Sequence, residues 1–208
     1  ILKDEDGKLL GQSGGIMSSL KLSYDELPYP MQQCCSYCSI FPYKYQFLPD
    51  ELFRIWISQG FVKCNHSGKK LEETGHDYLT DLVNLGFLQQ IECKDDSIRF
   101  KSEIFIMRLH NRVVREESFQ GRQTCYAMCG LMHDFARLVS RTECAALDGL
   151  QCNEILPTIH HLSMITNFVY QRDGQTGNIP RNERFEFSLQ SIVASVRKLR
   201  TLVLIGEY

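Results

Sequence analysis

The sequence lacks the features that mark several large classes of protein. No apolar run approaches the ~18–20 residues that a membrane-spanning helix requires, and no G-x-x-x-x-G-K-S/T phosphate loop is present. No order of Ser, His and Asp residues suggests nucleophilic catalysis. The net charge is −2, whereas nucleic-acid binding draws much of its affinity from cationic residues. We therefore expect no membrane span, no enzyme and no specific nucleic-acid partner.

The spacing of ligands that a zinc site requires is also missing, although nine cysteines are present. Cys35 and Cys38 form one C-x-x-C, but no second C-x-x-C and no pair of histidines follows at zinc spacing. Met31, Cys34, Cys35 and Cys38 fall at i, i+3, i+4 and i+7, on one face of a helix. Because free cysteine behaves as a small buried hydrophobe, and nine is an odd number, we expect buried thiols rather than a metal or a disulfide framework.

What is present is the composition of a soluble globular protein. Hydrophobic residues make up 43% and charged residues 23% of 208 residues, which is enough for one or two domains with a real core. The sequence starts at Ile1 rather than at Met and stops at Tyr208 inside an apolar run. We expect it to be a piece of a longer protein.

The first half of the sequence predicts helices. Residues 1–15 are charged and glycine-rich, which is typical of a connector. Pro28 should end the first helix, since proline disfavours helical geometry in the residue before it, and Gly60 should end the third in a left-handed conformation. Apolar periodicity and these end signals predict helices over Ile16–Leu27, from Pro30 to about Phe41, over Pro49–Gly60 and from Leu71 to about Gly86.

After Gly86 the pattern changes to that of strands. Phe87–Ile91 is predicted to be a strand, Asp95–Ser97 suits a turn, and Ile98–Phe100 is the predicted partner strand. Three helices followed by a two-stranded ribbon are the order of a winged helix. Residues 101–124 are expected to form an elongated wing, with Ile104–Ile106 extending the ribbon, or a surface insertion.

A further helix is predicted over Leu131–Arg141, because Leu131, Phe135, Leu138 and Val139 form one apolar stripe. The helix entrance at Met128–Gly130 could bind an anion, since free backbone N–H groups and the positive end of the macrodipole meet there. The imidazole of His133 could also donate to a phosphate. The alternative is an ordinary surface His and Asp on an amphipathic helix.

The last part of the sequence contains two copies of one pattern. The stretches Ile159-x-x-Leu162-x-Met164 and Leu199-x-x-Leu202-x-Leu204 match the L-x-x-L-x-L core of a leucine-rich repeat. We therefore predict a winged-helix domain over 16–146 and the start of an α/β leucine-rich repeat domain over 147–208. The predicted fold class is mainly α with a small β ribbon, followed by these repeats.

Several stretches resemble the ARC2 (winged-helix) subdomain and the entry to the repeats of plant NB-ARC/leucine-rich-repeat disease-resistance proteins. Cys34–Pro42 is similar to the RNBS-D motif of that family, in the wording typical of its coiled-coil class. The other similar stretches, in the family's order, are Leu20–Pro28, Glu51–Phe61, Tyr78–Leu88 and Ile159–Ser163.

The resemblance implies a cytoplasmic receptor of innate immunity that works as a nucleotide switch. ADP, held by an upstream nucleotide-binding domain of the same protein, would keep the receptor closed. A pathogen effector or a guarded host protein, sensed through the repeats, would allow exchange for ATP, formation of a homo-oligomer and defence signalling that includes the hypersensitive response. The chain itself would be no enzyme and would bind no cofactor alone, whereas the resemblance implies that the whole protein is a slow ATPase switch.

The family places the His of an M-H-D motif against the ADP phosphates, and two alignments are open here. Aligned on Tyr126, Leu131 and Asp134, the motif positions are Met128, Cys129 and Gly130, so that a thiol replaces the imidazole. The literal Met132-His133-Asp134 lies four residues later. The first register is favoured, and it implies weakened retention of ADP because a thiol is a poor donor.

A DNA-binding winged helix is the alternative function. It requires a basic recognition helix, but the third predicted helix offers only Arg54 among Leu, Phe, Ile and Trp residues. The wing would then have to supply the phosphate contacts, from Arg99, Lys101, Arg108, Arg112 and Arg115.

Overall fold

The architecture combines helices with two small sheets. The computed structural model describes residues 10–63, 68–93, 103–108, 113–114, 124–148, 155–166 and 183–206. The helices in these ranges are α1 Leu10–Asp25, α2 Tyr29–Cys38, α3 Pro49–Gln59, α4 Leu71–Asn84, α5 Gly130–Ser140 and α6 Glu183–Ser195. The strands are β1 Gln89–Glu92, β2 Glu103–Arg108, β3 Val113–Val114, β4 Thr124–Ala127, β5 Cys144–Asp148, β6 His161–Thr166 and β7 Thr201–Gly206. Among the described helices, none has both the length and the apolar character to cross a membrane.

Local signals in the sequence set the ends of α2 and α3. Pro28 holds extended backbone immediately before α2. α3 starts at Pro49, and the buried Glu51 carboxylate accepts the Leu48 N–H at 3.2 Å, as the third helical residue does in a capping box. Gly60 ends α3 with a φ of 76°, a conformation that glycine adopts without steric cost. The helix predicted between Pro49 and Gly60 is confirmed.

α1 begins earlier than the sequence indicates. Its first residue is Leu10 rather than a residue near Ile16, so 10–15 of the predicted connector are helical, while 1–9 lie outside the described residues. The helical conformation of 10–15 was not predicted because this stretch contains three glycines, and each glycine disfavours a helix by ~1 kcal/mol relative to alanine.

The ribbon of the winged helix pairs β1 with β4, in antiparallel register from Gln89 opposite Ala127 to Glu92 opposite Thr124. Phe47 adds a bridge to Tyr126, with two N–H···O bonds of 2.8 Å. The sequence predicted Ile98–Phe100 as the partner of β1, and those residues lie outside the described part of the chain. The pairing of β1 with β4 was not predicted. Neighbouring segments pair often, but here the ribbon closes across a longer connection.

One pair of cysteines contradicts the expectation of free thiols. Cys93 and Cys125 form a disulfide with Cα atoms 5.2 Å apart, because the ribbon places the end of β1 beside β4. Cys34, Cys35 and Cys38 are free and almost fully buried, as predicted, and burial raises the pKa of Cys35 to about 12. In the described part of the chain no group of three or more His, Cys, Asp or Glu residues could hold a metal ion.

The core of the winged helix is unusually aromatic. Phe41, Tyr45 and Phe47 pack as a triangle of rings with centroids 4.6–4.9 Å apart. Trp56 is fully buried, and Glu51, Leu52, Phe53 and Ile55 are buried with it, so α3 packs over more than a narrow stripe. This helical core and its ribbon confirm the predicted class, mainly α with a small β ribbon.

The last part of the described chain is a parallel sheet. β6 pairs with β5 on one side and with β7 on the other, and residues of β6 and β7 that are forty positions apart face each other, as Leu162 and Leu202 do. Six apolar residues of the two repeat-like stretches are buried in a second core: Ile159, Leu162, Met164, Leu199, Leu202 and Leu204. That these strands are leucine-rich repeats stays a prediction.

β2 joins this parallel sheet and not the ribbon. It pairs antiparallel with β7, and β3 pairs with β2, so the strand order is β3-β2-β7-β6-β5. The prediction that Ile104–Ile106 extends the ribbon is therefore wrong. β7 pairs with β2 at six positions, whereas the strands of the ribbon pair at only four. β7 therefore offers β2 more backbone hydrogen-bonding groups than the ribbon would.

Candidate functional site

The entrance of α5 is formed by the residues that follow β4. Met128 is buried, Cys129 is half-buried with extended backbone (φ −67°, ψ 161°), and the helix begins at Gly130. The N–H of His133 makes a bond of 2.9 Å to the carbonyl of Cys129. The amides that precede it in the helix have no intrahelical acceptor, so they and the helix dipole can meet an anion at this end.

His133 faces the core of the winged helix instead of the helix entrance. Its side chain is 6% exposed, and Nε2 lies 2.9 Å from the carbonyl oxygen of Phe41. Since a carbonyl can only accept, Nε2 carries the proton and donates. The interpretation of His133 as an ordinary surface residue is therefore wrong, and its ring is engaged one turn inside the helix.

The buried face of α5 differs from the predicted stripe. The predicted stripe included Leu131, which is 41% exposed, whereas the polar His133 and Ser140 are buried together with Phe135 and Ala136. Ser140 Oγ lies 2.9 Å from Ser39 Oγ at the end of α2. Hydropathy cannot detect this face, because two of its members are buried through hydrogen bonds rather than through apolar character.

The loop after α2 brings two further residues to the entrance of α5. A Cβ added at Gly130 would lie 3.2 Å from Oη of Tyr43, so the absence of a side chain at Gly130 lets Tyr43 pack there. Lys44 has a φ of 66°, and its Nζ lies 5.3 Å from the centroid of the Tyr43 ring. Both side chains are exposed, and they were not identified from the sequence because a loop residue carries no periodic signal.

The structure separates the two registers of the motif in space. Met128, Cys129 and Gly130 lie together at the start of α5. Of the literal match, Met132 is half-buried, His133 is turned inward and Asp134 is exposed. The positions of the aligned register, and not those of the literal one, surround the helix entrance.

Comparison with known proteins shows which family this chain resembles. The family described as the winged helix domain of disease resistance proteins matches residues 40–107. A protein of Arabidopsis thaliana named for disease resistance is 30% identical over 73% of this chain. The disease resistance proteins RPM1 of Arabidopsis thaliana and RGA2 of Solanum bulbocastanum are 41% and 34% identical over 36% and 41% of it. These matches span 9%, 8% and 9% of the three relatives' own lengths.

Proposed function

Because the chain carries the winged helix domain of the plant disease resistance proteins, we propose that it is the regulatory switch module of an intracellular immune receptor. The module couples the ADP or ATP state of an upstream nucleotide-binding domain to sensing by leucine-rich repeats. The upstream domain holds the nucleotide, and the module itself catalyses no reaction. An effector or a guarded host protein is sensed through the repeats, and the activated receptor assembles with further copies of itself in the cytoplasm.

The observation that carries the proposal is the geometry of the entrance of α5. The amides of its first turn have no intrahelical acceptor and Cys129 is half-buried, so both can meet a phosphate that another domain presents, whereas the His133 imidazole is engaged with Phe41. This arrangement supports the register in which Cys129 takes the position of the family's histidine. Cys129 is half-buried and free of a disulfide, so its side chain can be reached.

The exchange of histidine for cysteine should weaken the hold on ADP. A hydrogen bond to a charged group contributes ~1.5–3 kcal/mol, which corresponds to roughly a ten- to hundredfold change in affinity. A thiol is a weak donor. We propose that this receptor releases ADP readily and either signals at a basal level or depends on partner proteins that hold it inactive.

The test is the rate of ADP dissociation from the full receptor that contains this module. Cys129→His should slow release of a fluorescent ADP analogue by roughly ten- to hundredfold. Cys129→Ala, which adds no hydrogen-bond donor, is the matched control and should change the rate little. An unchanged rate in Cys129→His, or a large acceleration in a folded His133→Ala variant, would contradict the aligned register.

The structure does not favour the alternative of DNA binding. In a helix-turn-helix pair the second helix enters the major groove. α4 follows α3 and precedes the ribbon, so the recognition helix would be α4 and not the third helix that the sequence indicates. α4 contains four carboxylates and no Lys or Arg: Glu72, Glu73, Asp77 and Asp81. A helix of this charge repels the phosphates from which such binding draws its affinity.

A further inference from the structure

A cleft of about 670 Å³ lies between α3 and α4. Its floor is apolar, formed by Phe53 and by the half-buried Ile57, one helical turn further along α3. The remaining lining is charged or polar: Asp50, Arg54, Glu72, Glu73, His76 and Asp77. The cleft does not coincide with the entrance of α5 and has no part in the function proposed above.

A glycine shapes the cleft. Gly75 of α4 is buried against Phe53, and a Cβ at this position would lie 3.2 Å from Cδ1 of the Phe53 ring. The two helices approach closely at this point. His76, the next residue, places its ring 6.1 Å from that of Phe53 and borders the floor. Packing of Gly75 against Phe53 therefore fixes the floor of the cleft, whereas exposed side chains form its rim.

The rim beside α4 carries a row of negative charges. Glu73 and Asp77 line the cleft, and Asp81 continues the row one turn beyond it, so that the three follow at i, i+4 and i+8 on one exposed face. Like charges at this spacing destabilise a helix. Lys69 offsets one of them through an ion pair of 2.8 Å with Asp77, and the described residues include no ion pair of Glu73 or Asp81.

We propose that this cleft docks a basic amphipathic helix of a partner protein. A helix rises ~1.5 Å per residue, so the acidic row extends over roughly 12 Å and matches Lys or Arg side chains at the same four-residue spacing. Apolar side chains one turn apart on the partner would contact Phe53 and Ile57. This is the helix-in-groove mode of recognition, with charge complementarity that sets orientation and partner choice.

Other occupants fit the cleft less well. Small-molecule sites are enclosed and mostly apolar, whereas this cleft is open and has a charged rim. A nucleic acid or an acidic peptide would meet the four carboxylates of the lining. A bound metal is not indicated, since the described residues contain no suitable group of ligands.

The test uses the 208-residue chain and a fluorescein-labelled helical peptide with leucines one turn apart and lysines along the adjacent face. Fluorescence anisotropy should show binding that weakens as salt is added. The triple variant Glu73→Gln, Asp77→Asn, Asp81→Asn removes the charges but keeps the shapes of the side chains. It should bind roughly tenfold more weakly, because three exposed ion pairs with the lysines of the peptide are lost.

The matched control is Glu26→Gln, Glu92→Gln, Glu143→Gln, which removes three exposed charges elsewhere and should leave the affinity unchanged. Circular dichroism checks that both variants are folded. No binding of the lysine peptide, or an equal loss in the two variants, would overturn the proposal. Equal binding of a peptide whose leucines are replaced by serine would also overturn it, because the apolar floor would then have no role.

Discussion

At the scale of single residues, the polar side chains of the interior show what hydropathy overlooks. His133 and Ser140 turn α5 toward the segment that follows α2, since each has a partner there, the Phe41 carbonyl and the Ser39 hydroxyl. Glu51 is buried, and its carboxylate accepts a bond of 2.6 Å from the Tyr45 hydroxyl. Burial of a polar group is tolerated where its hydrogen bonds are made, so these positions cannot be recognised from residue type alone.

His133 provides a prediction at this scale. Replacing it by leucine removes the donor to the buried Phe41 carbonyl, which should lower the free energy of unfolding by about 1–3 kcal/mol. Urea denaturation of His133→Leu measures this loss. The exposed neighbour is the control, because Asp134→Asn should change the stability by less than ~0.5 kcal/mol. Equal stability of the two variants would show that the His133 bond contributes nothing.

At the scale of elements, helices were predicted better than strand partners. Pro49 and Gly60 determine where α3 begins and ends, and those signals are local. The pairing of β4 with β1 depends on residues that are far apart in the sequence, which no local pattern encodes. The entrance of α5 was located correctly, but its buried face was not, because the predicted stripe counted Leu131 and omitted His133.

The disulfide that joins β1 to β4 provides a prediction at the scale of elements. Cys93 and Cys125 are separated by 32 positions, and closing a loop of that length stabilises a fold by about 3–4 kcal/mol in the chain-entropy model. Addition of a reductant should lower the midpoint of urea unfolding accordingly. Cys93→Ser should show the lower midpoint with and without reductant. If the urea midpoint of the wild type were the same with and without reductant, the cross-link would be contradicted.

At the scale of the whole molecule, the winged helix and the parallel sheet are joined by buried contacts. Ser163 of β6 donates to the carbonyl of Ile40, and Thr201 of β7 donates to the Gln59 side chain at 2.9 Å. His161 packs its ring against Tyr37 and Phe61, with centroids 5.0 and 5.8 Å away. Two side chains of the sheet, Val203 and Ile205, also belong to the core of the winged helix.

His161 makes this junction sensitive to acid. Burial, with smaller contributions from His160 and Arg200, lowers the pKa of His161 to about 3. The unfolded chain takes up a proton near the ordinary value of 6.5, whereas the folded chain does not, so stability is lost as the pH falls from about 6.5 to about 3. Each pKa unit corresponds to ~1.4 kcal/mol, which sets an upper limit of about 5 kcal/mol.

Unfolding by urea at several pH values between 7 and 4 measures the effect. The free energy of unfolding should decrease across this range in the wild type. A His161→Gln variant, less stable at pH 7, should show a flatter profile because the titrating group is gone. Profiles of equal slope would show that His161 is not the group responsible.

The contact between the winged helix and the parallel sheet could not have been predicted from the sequence, although the strands that form it could. Leu162 and Leu202 were recognised as members of one repeated pattern, and their burial follows from it. The alternate residues of the same strands, His161, Ser163 and Thr201, are polar in sequence and would ordinarily face solvent. They are buried because the winged helix covers that face of the sheet, and this depends on how two distant parts of the chain pack.

The position of β2 beside β7 has a consequence for growth of the sheet. A strand has two edges, and those of β7 are taken by β6 and by β2. A further parallel strand that followed β7 in a solenoid would have to pair with the edge of β7 that β2 now covers. That edge cannot pair with β2 and with a further strand at the same time. Residues 103–108 therefore cap this edge of the sheet, and a strand added beside β7 would first have to displace them.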